Sequence, residues 1–170
     1  MIKATLIGDT IISVSNNAFA LYEKSNFGDK KGNRIEYSPV EALFLVQQNK
    51  MNIFSNNKQI SEEFLIKKLK KIDKKIELKL EVYTDLRKKG YILKSALKFG
   101  AEFRVYEKGA KPGEAHARWL LYTVKESENI NWHDFAAKNR IAHSTKKNLL
   151  IAIADSEGSV SYYEISWRRI

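Results

Sequence analysis

The chain has 170 residues, with 30 Lys and Arg against 20 Asp and Glu, and its formal net charge is +10. This length suffices for one ordinary domain or two small ones, and the positive charge favours a polyanionic partner, either nucleic acid or an acidic membrane surface. The absence of cysteine excludes disulfides, thiolate metal sites and a cysteine nucleophile. No apolar stretch approaches the roughly 20 residues that cross a bilayer, and residues 1–9 lack the apolar segment of a signal peptide. We therefore expect a soluble, cytoplasmic protein without a membrane partner.

The first part of the chain predicts short strands joined by turns. Residues 3–7 and 10–14 are rich in β-formers on either side of Gly8-Asp9, a pair typical of a tight hairpin turn. Residues 18–27 are interpreted as a further extended segment. Residues 28–33 contain two glycines and four polar side chains, which indicates a loop.

Two helical patterns follow. Ser38-Pro39-Val40-Glu41 combines a capping serine, a proline at the first helical position and a glutamate three residues after the serine. From Ser61 to Gly90, apolar residues recur every three or four positions, and an interruption is expected near residues 73–78, either as a loop or as one helix that breaks at Asp73. We place a domain boundary there, giving a small mixed α/β N-terminal domain at 1–75 and a C-terminal domain at 76–170. The six lysines between 67 and 75 fit either a phosphate-binding surface or, by default, the solvated face of an amphipathic helix.

The last 80 residues alternate between strand and helix patterns, which predicts an α/β (α+β) domain. Strands are expected at residues 91–94, 101–106, 119–124, 148–154 and 159–168, and a helix capped by Asn131 is expected at 132–139. The run at 148–154 is continuously apolar, as in a fully buried strand.

Candidate functional residues lie in three segments of this second domain. Tyr106 ends a strand, and a polar loop leads from it to His116. Residues 138–147 contain Lys138, Arg140, His143, Lys146 and Lys147 without any acidic residue, which favours phosphate binding. Taken singly, Tyr106 also fits a half-buried strand tyrosine, His116 a surface histidine, and the basic segment a solvated turn.

The strands show no pair of carboxylates of the kind that holds Mg²⁺ in metal-dependent nucleases. We therefore expect no metal and no cofactor. A basic protein with Tyr, His and Lys but no metal site indicates RNA as the substrate, because RNA carries its own nucleophile in the 2′-OH beside each phosphate.

The segments Tyr83-Thr84-Asp85-Leu86-Arg87, Lys98-Phe99-Gly100-Ala101-Glu102-Phe103, Tyr106-Glu107-Lys108-Gly109 and Ala142-His143-Ser144-Thr145-Lys146-Lys147 resemble the archaeal tRNA-splicing endonucleases. The resemblance is specific over residues 80–155. It implies a C-terminal catalytic domain with a central mixed sheet flanked by helices and a core like that of restriction endonucleases. It also implies cleavage of precursor tRNA at bulge-helix-bulge junctions, leaving 2′,3′-cyclic phosphate and 5′-hydroxyl ends.

The same resemblance implies roles for three residues. Tyr106 would take the proton of the 2′-OH, His116 would protonate the leaving 5′-oxygen, and Lys147 would stabilise the charge on the phosphate. A free phenol ionises only near pH 10, so Tyr106 depends on nearby cations to act as a base. The alternative is that Tyr106 orients the 2′-OH.

Further positions follow from the resemblance. Arg140, together with Trp167 or Arg168, would sandwich a flipped-out base of the bulge. Trp167 fits plain strand packing equally well. Asp155 and Glu157 occupy the place of an acidic loop that docks on a neighbouring subunit, in a homotetramer or in a heterotetramer with a paralogous structural subunit. Two other readings of the whole chain remain: a noncatalytic RNA-binding subunit of the same assembly, and a metal-dependent DNA nuclease.

Overall fold

The chain divides into two compact units, residues 1–83 and 84–170, in a computed structural model that describes residues 1–170. Each unit contains its own sheet of mixed strand direction together with helices, which confirms the predicted α+β class. Helix α4 (Ile76–Lys88) runs across the division. The boundary after residue 75 therefore stays a proposal, which separate expression of residues 1–75 and 76–170 would test.

The N-terminal unit is built on a six-stranded sheet with the order β3-β4-β2-β1-β5-β6. Its strands are β1 (Ile2–Ile7), β2 (Thr10–Ser13), β3 (Asp29–Lys31), β4 (Arg34–Tyr37), β5 (Met51–Ser55) and β6 (Lys58–Gln59). β1 and β2 form the predicted hairpin, and Gly8 at its turn has φ +60°. β1 pairs in parallel with β5, whereas the other neighbours are antiparallel.

The predicted extended segment at 18–27 is wrong, because helix α1 (Asn16–Ser25) occupies these residues. Ala18 is fully buried, and the half-buried Leu21, Tyr22 and Ser25 follow it at helical spacing. Asn26 ends the helix in a left-handed conformation, with its N–H donating to the carbonyl of Tyr22.

The predicted loop at 28–33 is also wrong in part, since residues 29–31 form β3 and turn at Gly32-Asn33 into β4. The backbone at Gly28 approaches β4 so closely that a Cβ there would clash with Ile35 Cγ2. This contact explains a glycine at that position better than loop flexibility does.

The predicted capping box begins helix α2 (Pro39–Gln47). The Ser38 hydroxyl accepts from the Glu41 N–H at 3.3 Å, and the Glu41 carboxylate accepts from the Ser38 N–H at 3.2 Å. Helix α3 (Glu62–Ile72) ends at Asp73, which confirms the predicted break. The Asp73 carboxylate accepts a hydrogen bond from the Lys75 N–H just beyond the helix end.

The C-terminal unit contains a five-stranded sheet with the order β11-β10-β9-β8-β7. Its strands are β7 (Ile92–Ser95), β8 (Phe103–Tyr106), β9 (Trp119–Lys125), β10 (Asn148–Ala154) and β11 (Val160–Ile165). Only β9 and β10 are parallel, and helix α5 (Trp132–Ser144) makes the crossover between them. Ala142 of α5 packs with Leu120, Tyr122, Leu149 and Ile151 in the core of this unit.

Two predicted boundaries in this unit are wrong. Helix α5 runs to Ser144 rather than Asn139, because Ala142 is fully buried and keeps the next turn packed on the core. The basic segment therefore lies mostly on a helix and not in a turn. The last strand ends at Ile165, so Trp167 and Arg168 lie beyond it. No helix of the chain combines the length and the apolar character needed to cross a membrane.

Candidate active site

Tyr106 is the last residue of β8, where the strand ends at one edge of the C-terminal sheet. It pairs across the ladder with Ile92 of β7, and only 5% of its surface is exposed. Tyr106 also lines a pocket of about 310 Å³. The sheet thus fixes the position of Tyr106 while the pocket keeps its side chain within reach of a ligand.

His116 reaches the same pocket from the loop between β8 and β9. This loop is tied at both ends, since the Ala110 N–H donates to the Glu107 carbonyl at 3.0 Å and the Arg118 N–H donates to the Val105 carbonyl at 3.0 Å. Ala117, next to His116, is buried and anchors the returning chain. The imidazole itself is exposed to solvent, so a substrate can reach it.

Lys147 is positioned by the way helix α5 ends. The Lys147 N–H donates to the Ala142 carbonyl and the Lys146 N–H to the His143 carbonyl, both at 2.9 Å. This pair of bonds is a Schellman motif, in which the residue after the cap adopts the left-handed conformation. That residue is Lys146, with φ +57°. The motif turns the chain sharply and brings Lys147 to the pocket.

Lys146 occupies a position that favours glycine, because a side chain there is strained by about 1 kcal/mol. We expect Lys146→Gly to raise the free energy of unfolding by about 1 kcal/mol in urea denaturation. Lys146→Ala is the matched control, since it removes the same charge but keeps a Cβ. A gain in the alanine variant equal to that in the glycine variant would contradict the role of backbone strain.

The surroundings of Lys147 disfavour the charged form of its side chain. Partial burial lowers the pKa of Lys147, and the positive charge of Arg104 lowers it further. Its Nζ donates to the Thr145 carbonyl at 2.9 Å and lies 5.9 Å from the centre of the Phe99 ring. An anion bound in the pocket would relieve the repulsion between the two cations.

The structure brings all three predicted catalytic residues into this one pocket. Tyr106, His116 and Lys147 line it together with Phe99, Arg104 and Glu114. The pocket thus contains a phenol, an imidazole and two cations, a set able to accept a proton, donate a proton and stabilise an anion. No group of three or more His, Asp or Glu side chains in the chain is arranged to hold a metal ion.

Arg104 and Arg118 were not singled out from the sequence. Arg118 forms ion pairs with Glu107 and Glu164, and Glu164 accepts a hydrogen bond from Asn148. Glu107 follows Tyr106 and Asn148 follows Lys147, so this polar network joins the two chain segments beside the pocket. The only sequence signal was the position of these residues next to the predicted site.

The predicted base-binding residues are only partly brought together. The Trp167 ring, 46% exposed, lies 4.6 Å from the His143 ring, centre to centre. Arg140 is exposed on α5 one turn before His143. The structure thus places Trp167 beside the helix that carries Arg140. Arg168 is exposed and lies after Trp167 beyond the last strand.

Asp155 and Glu157 lie in the turn between β10 and β11. The Asp155 carboxylate accepts from the N–H groups of Glu157 at 2.9 Å and Ser159 at 2.8 Å, so it shapes the turn itself. Glu157 is exposed at the tip of this turn. Of the two acids, Glu157 is therefore the more available for contact with another subunit.

Comparison with known sequences decides the family. The model of the tRNA intron endonuclease catalytic C-terminal domain matches residues 76–162, and the model of the tRNA intron endonuclease N-terminal domain matches residues 2–66. The chain belongs to the tRNA intron endonuclease family. Tyr106, His116 and Lys147 all fall within the region matched by the catalytic domain of this family, whereas Trp167 and Arg168 lie beyond it.

Individual tRNA-splicing endonucleases are similar over most of their length. That of Pyrococcus abyssi (strain GE5 / Orsay) is 38% identical over 168 residues, covering 98% of this chain and 96% of the relative. That of Methanothermobacter thermautotrophicus (strain Delta H) is 34% identical, with 96% of each chain covered. That of Nanoarchaeum equitans (strain Kin4-M) is 36% identical over 81% of this chain and 96% of its own. Membership of the tRNA intron endonuclease family thus rests on both units of the chain.

Proposed function

We propose that this protein is a tRNA intron endonuclease that cuts precursor tRNA at bulge-helix-bulge junctions without a metal ion. The observation that carries the proposal is the single pocket lined by Tyr106, His116 and Lys147. These residues come from a strand end, a loop and a helix end that are separate in sequence. Family membership supports the choice of RNA substrate, and the net charge of +10 supports binding of a polyanion.

The proposed reaction is an attack of the 2′-oxygen on the adjacent phosphorus. Tyr106, as phenolate, takes the 2′-OH proton while the O2′–P bond forms, and His116, as imidazolium, gives a proton to the 5′-oxygen while the P–O5′ bond breaks. Lys147 Nζ stabilises the negative charge that accumulates on the non-bridging phosphate oxygens. The products are a 2′,3′-cyclic phosphate and a 5′-hydroxyl. Exchange with water restores the two protonation states.

For the base-binding site, we propose that Arg140 and Trp167 hold a bulge base between a guanidinium and an indole. The exposed ring of Trp167 and its place beside α5 support this assignment. Arg168 remains the second choice for the partner of Arg140, since it is also exposed near the end of the chain.

The proposed assembly is a homotetramer or a heterotetramer with a paralogous structural subunit, acting in the cytoplasm. Two features of the C-terminal unit support subunit contacts. Glu157 extends from an exposed turn, and β11 is an edge strand whose Tyr163 is 57% exposed. The alternative function is a noncatalytic subunit of the same assembly. The presence of all three catalytic side chains in one pocket disfavours it, because a subunit without catalysis does not require this set.

The test is cleavage of a labelled bulge-helix-bulge RNA by the purified protein in EDTA, with the product ends mapped. We expect two cuts, each leaving a cyclic phosphate, and no cuts in a fully paired RNA of equal length. Inhibition by EDTA would contradict the metal-independent mechanism and favour a metal-dependent nuclease. If the protein binds the RNA but cuts only after a paralogous subunit is added, the heterotetramer is the active form. Binding without cleavage even then would support the noncatalytic alternative.

A further inference from the structure

Arg104 is a second cation in the catalytic pocket. It lies two residues before Tyr106 on β8, and residues two apart on a strand face the same side of the sheet. Arg104 accordingly lines the pocket with Tyr106, His116 and Lys147. Phe103 and Val105, which alternate with Arg104 and Tyr106 along β8, are buried on the other side of the strand.

The guanidinium of Arg104 is held in a defined orientation. Its Nε donates to the Ser95 carbonyl of β7 at 3.2 Å, and this bond leaves Nη1 and Nη2 for other acceptors. A guanidinium fixed in this way can donate two parallel hydrogen bonds to the oxygens of one phosphate, whereas an ammonium acts as a point charge. Arg104 is therefore prepared for an oxyanion with at least two oxygens.

The positive charges of Arg104 and Lys147 are not balanced by an acid of the pocket. Lys147 is close enough for the charge of Arg104 to lower its pKa. Glu114 lines the same pocket but forms no ion pair with Arg104 or Lys147. Cations placed together without carboxylates repel one another in the absence of a ligand, and such arrangements are typical of anion-binding sites.

We propose that Arg104 is a catalytic residue that binds the non-bridging oxygens of the scissile phosphate through Nη1 and Nη2, beside Lys147. This inference rests on the proposed function and adds to it a second cation at the reacting phosphorus. Arg104 neither gives nor takes a proton. Its hydrogen bonds strengthen as the O2′–P bond forms, because the phosphate then gains a second negative charge.

The first test measures separately how the substitution changes the rate constant for cleavage of bound RNA and the Kd for RNA binding. Single-turnover cleavage of the bulge-helix-bulge RNA gives the rate constant, and an RNA with a 2′-deoxy nucleotide at the cut site, which lacks the nucleophile, gives Kd. We expect Arg104→Met to lower the rate constant by about 10²- to 10³-fold and to weaken binding by at most about tenfold. Arg104→Lys keeps the charge but not the fork of donors, so we expect a loss of about tenfold.

Lys125→Met is the matched control for the loss of one positive charge. Lys125 is exposed at the other end of β9 from Trp119, and it does not line the pocket. We expect its rate constant to equal that of the wild type. A rate constant for Arg104→Met within threefold of the wild type, or a loss confined to Kd, would overturn the proposal.

A second measurement separates this proposal from the proposed function and does not need cleavage. The 2′-deoxy RNA should shift the Nε–H NMR resonance of Arg104 in the wild-type protein. If the wild type fails to cut any RNA but this shift occurs, the proposed reaction is wrong and the phosphate site of Arg104 stands. If RNA binds without moving the Arg104 resonance, the proposal for Arg104 is wrong whatever the activity. Equal melting temperatures of the variants would exclude misfolding as the cause of a rate loss.

Discussion

Replacing His116 with alanine should lower the rate of RNA cleavage by about 10²- to 10⁴-fold, the usual contribution of a general acid. The side chain is exposed in a loop whose backbone is tied by its own hydrogen bonds, so the variant should fold and melt like the wild type. The measurement is single-turnover cleavage of the bulge-helix-bulge RNA, with the melting temperature recorded in parallel.

A modified substrate distinguishes a general acid from a residue that only binds RNA. When sulfur replaces the bridging 5′-oxygen, the leaving thiolate needs no proton, so His116→Ala should cut this RNA nearly as fast as the wild type does. The Lys147→Met variant should remain slow on the same RNA, because its defect lies at the non-bridging oxygens. An equal loss in His116→Ala with oxygen and sulfur leaving groups would show that His116 is not the acid.

Replacing Lys147 with methionine should lower the cleavage rate by about 10²- to 10³-fold while leaving the fold as stable as before, or slightly more stable. The reason is the direction of the pKa change. Burial and the charge of Arg104 lower the pKa of Lys147 from its ordinary value of 10.5, so the folded chain binds this proton less tightly than the unfolded chain does. At neutral pH the charge therefore opposes folding, and methionine removes it while keeping the length of the side chain.

The sign of this effect gives a pH dependence that can be measured. The difference in melting temperature between Lys147→Met and the wild type should shrink as the pH rises through the lowered pKa of Lys147, because the wild-type lysine then loses its charge as well. Lys147→Arg is the control that retains a charge over this range. A Lys147→Met variant much less stable than the wild type at neutral pH would contradict this account of the pocket.

Strong local signals in the sequence made part of the fold predictable. The turn at Gly8-Asp9, the capping box of Ser38 and Glu41, and the break at Asp73 all depend on neighbouring residues, and the structure contains each of them. Helix α1 was missed because its start carries no such signal. The Ser15 hydroxyl at its N-cap pairs with the Ser13 hydroxyl and makes no capping hydrogen bond, and the first turn has no acidic residue. Tertiary burial of Ala18, which a single sequence does not reveal, accompanies this helix.

The residues of the candidate site were partly predictable from the sequence, whereas their arrangement in space was not. Its three segments stood out by composition and by their resemblance to a family, but the closeness of Tyr106, His116 and Lys147 depends on the pairing of β8 with β9 and of β9 with β10. Such long-range pairing is not encoded in local patterns. The sequence alone did not predict a role for Arg104. A charged residue alternating with apolar ones on a strand normally indicates the solvent side of a sheet, and here that side is the wall of the pocket.

Arg140 lies in the last turns of α5, and Lys147 follows the end of this helix. In the proposed complex, α5 therefore sets the spacing between these two residues. Arg140 lies four residues before the last helical residue, a rise of about 6 Å, and the left-handed turn at Lys146 then directs the next residue into the pocket. The helix fixes the distance and the angle between the base bound by Arg140 and the scissile phosphate. The choice of the cutting point along the RNA would then be a property of helix geometry, and a one-residue insertion in the last turns of α5 would rotate Arg140 by about 100° relative to Lys147.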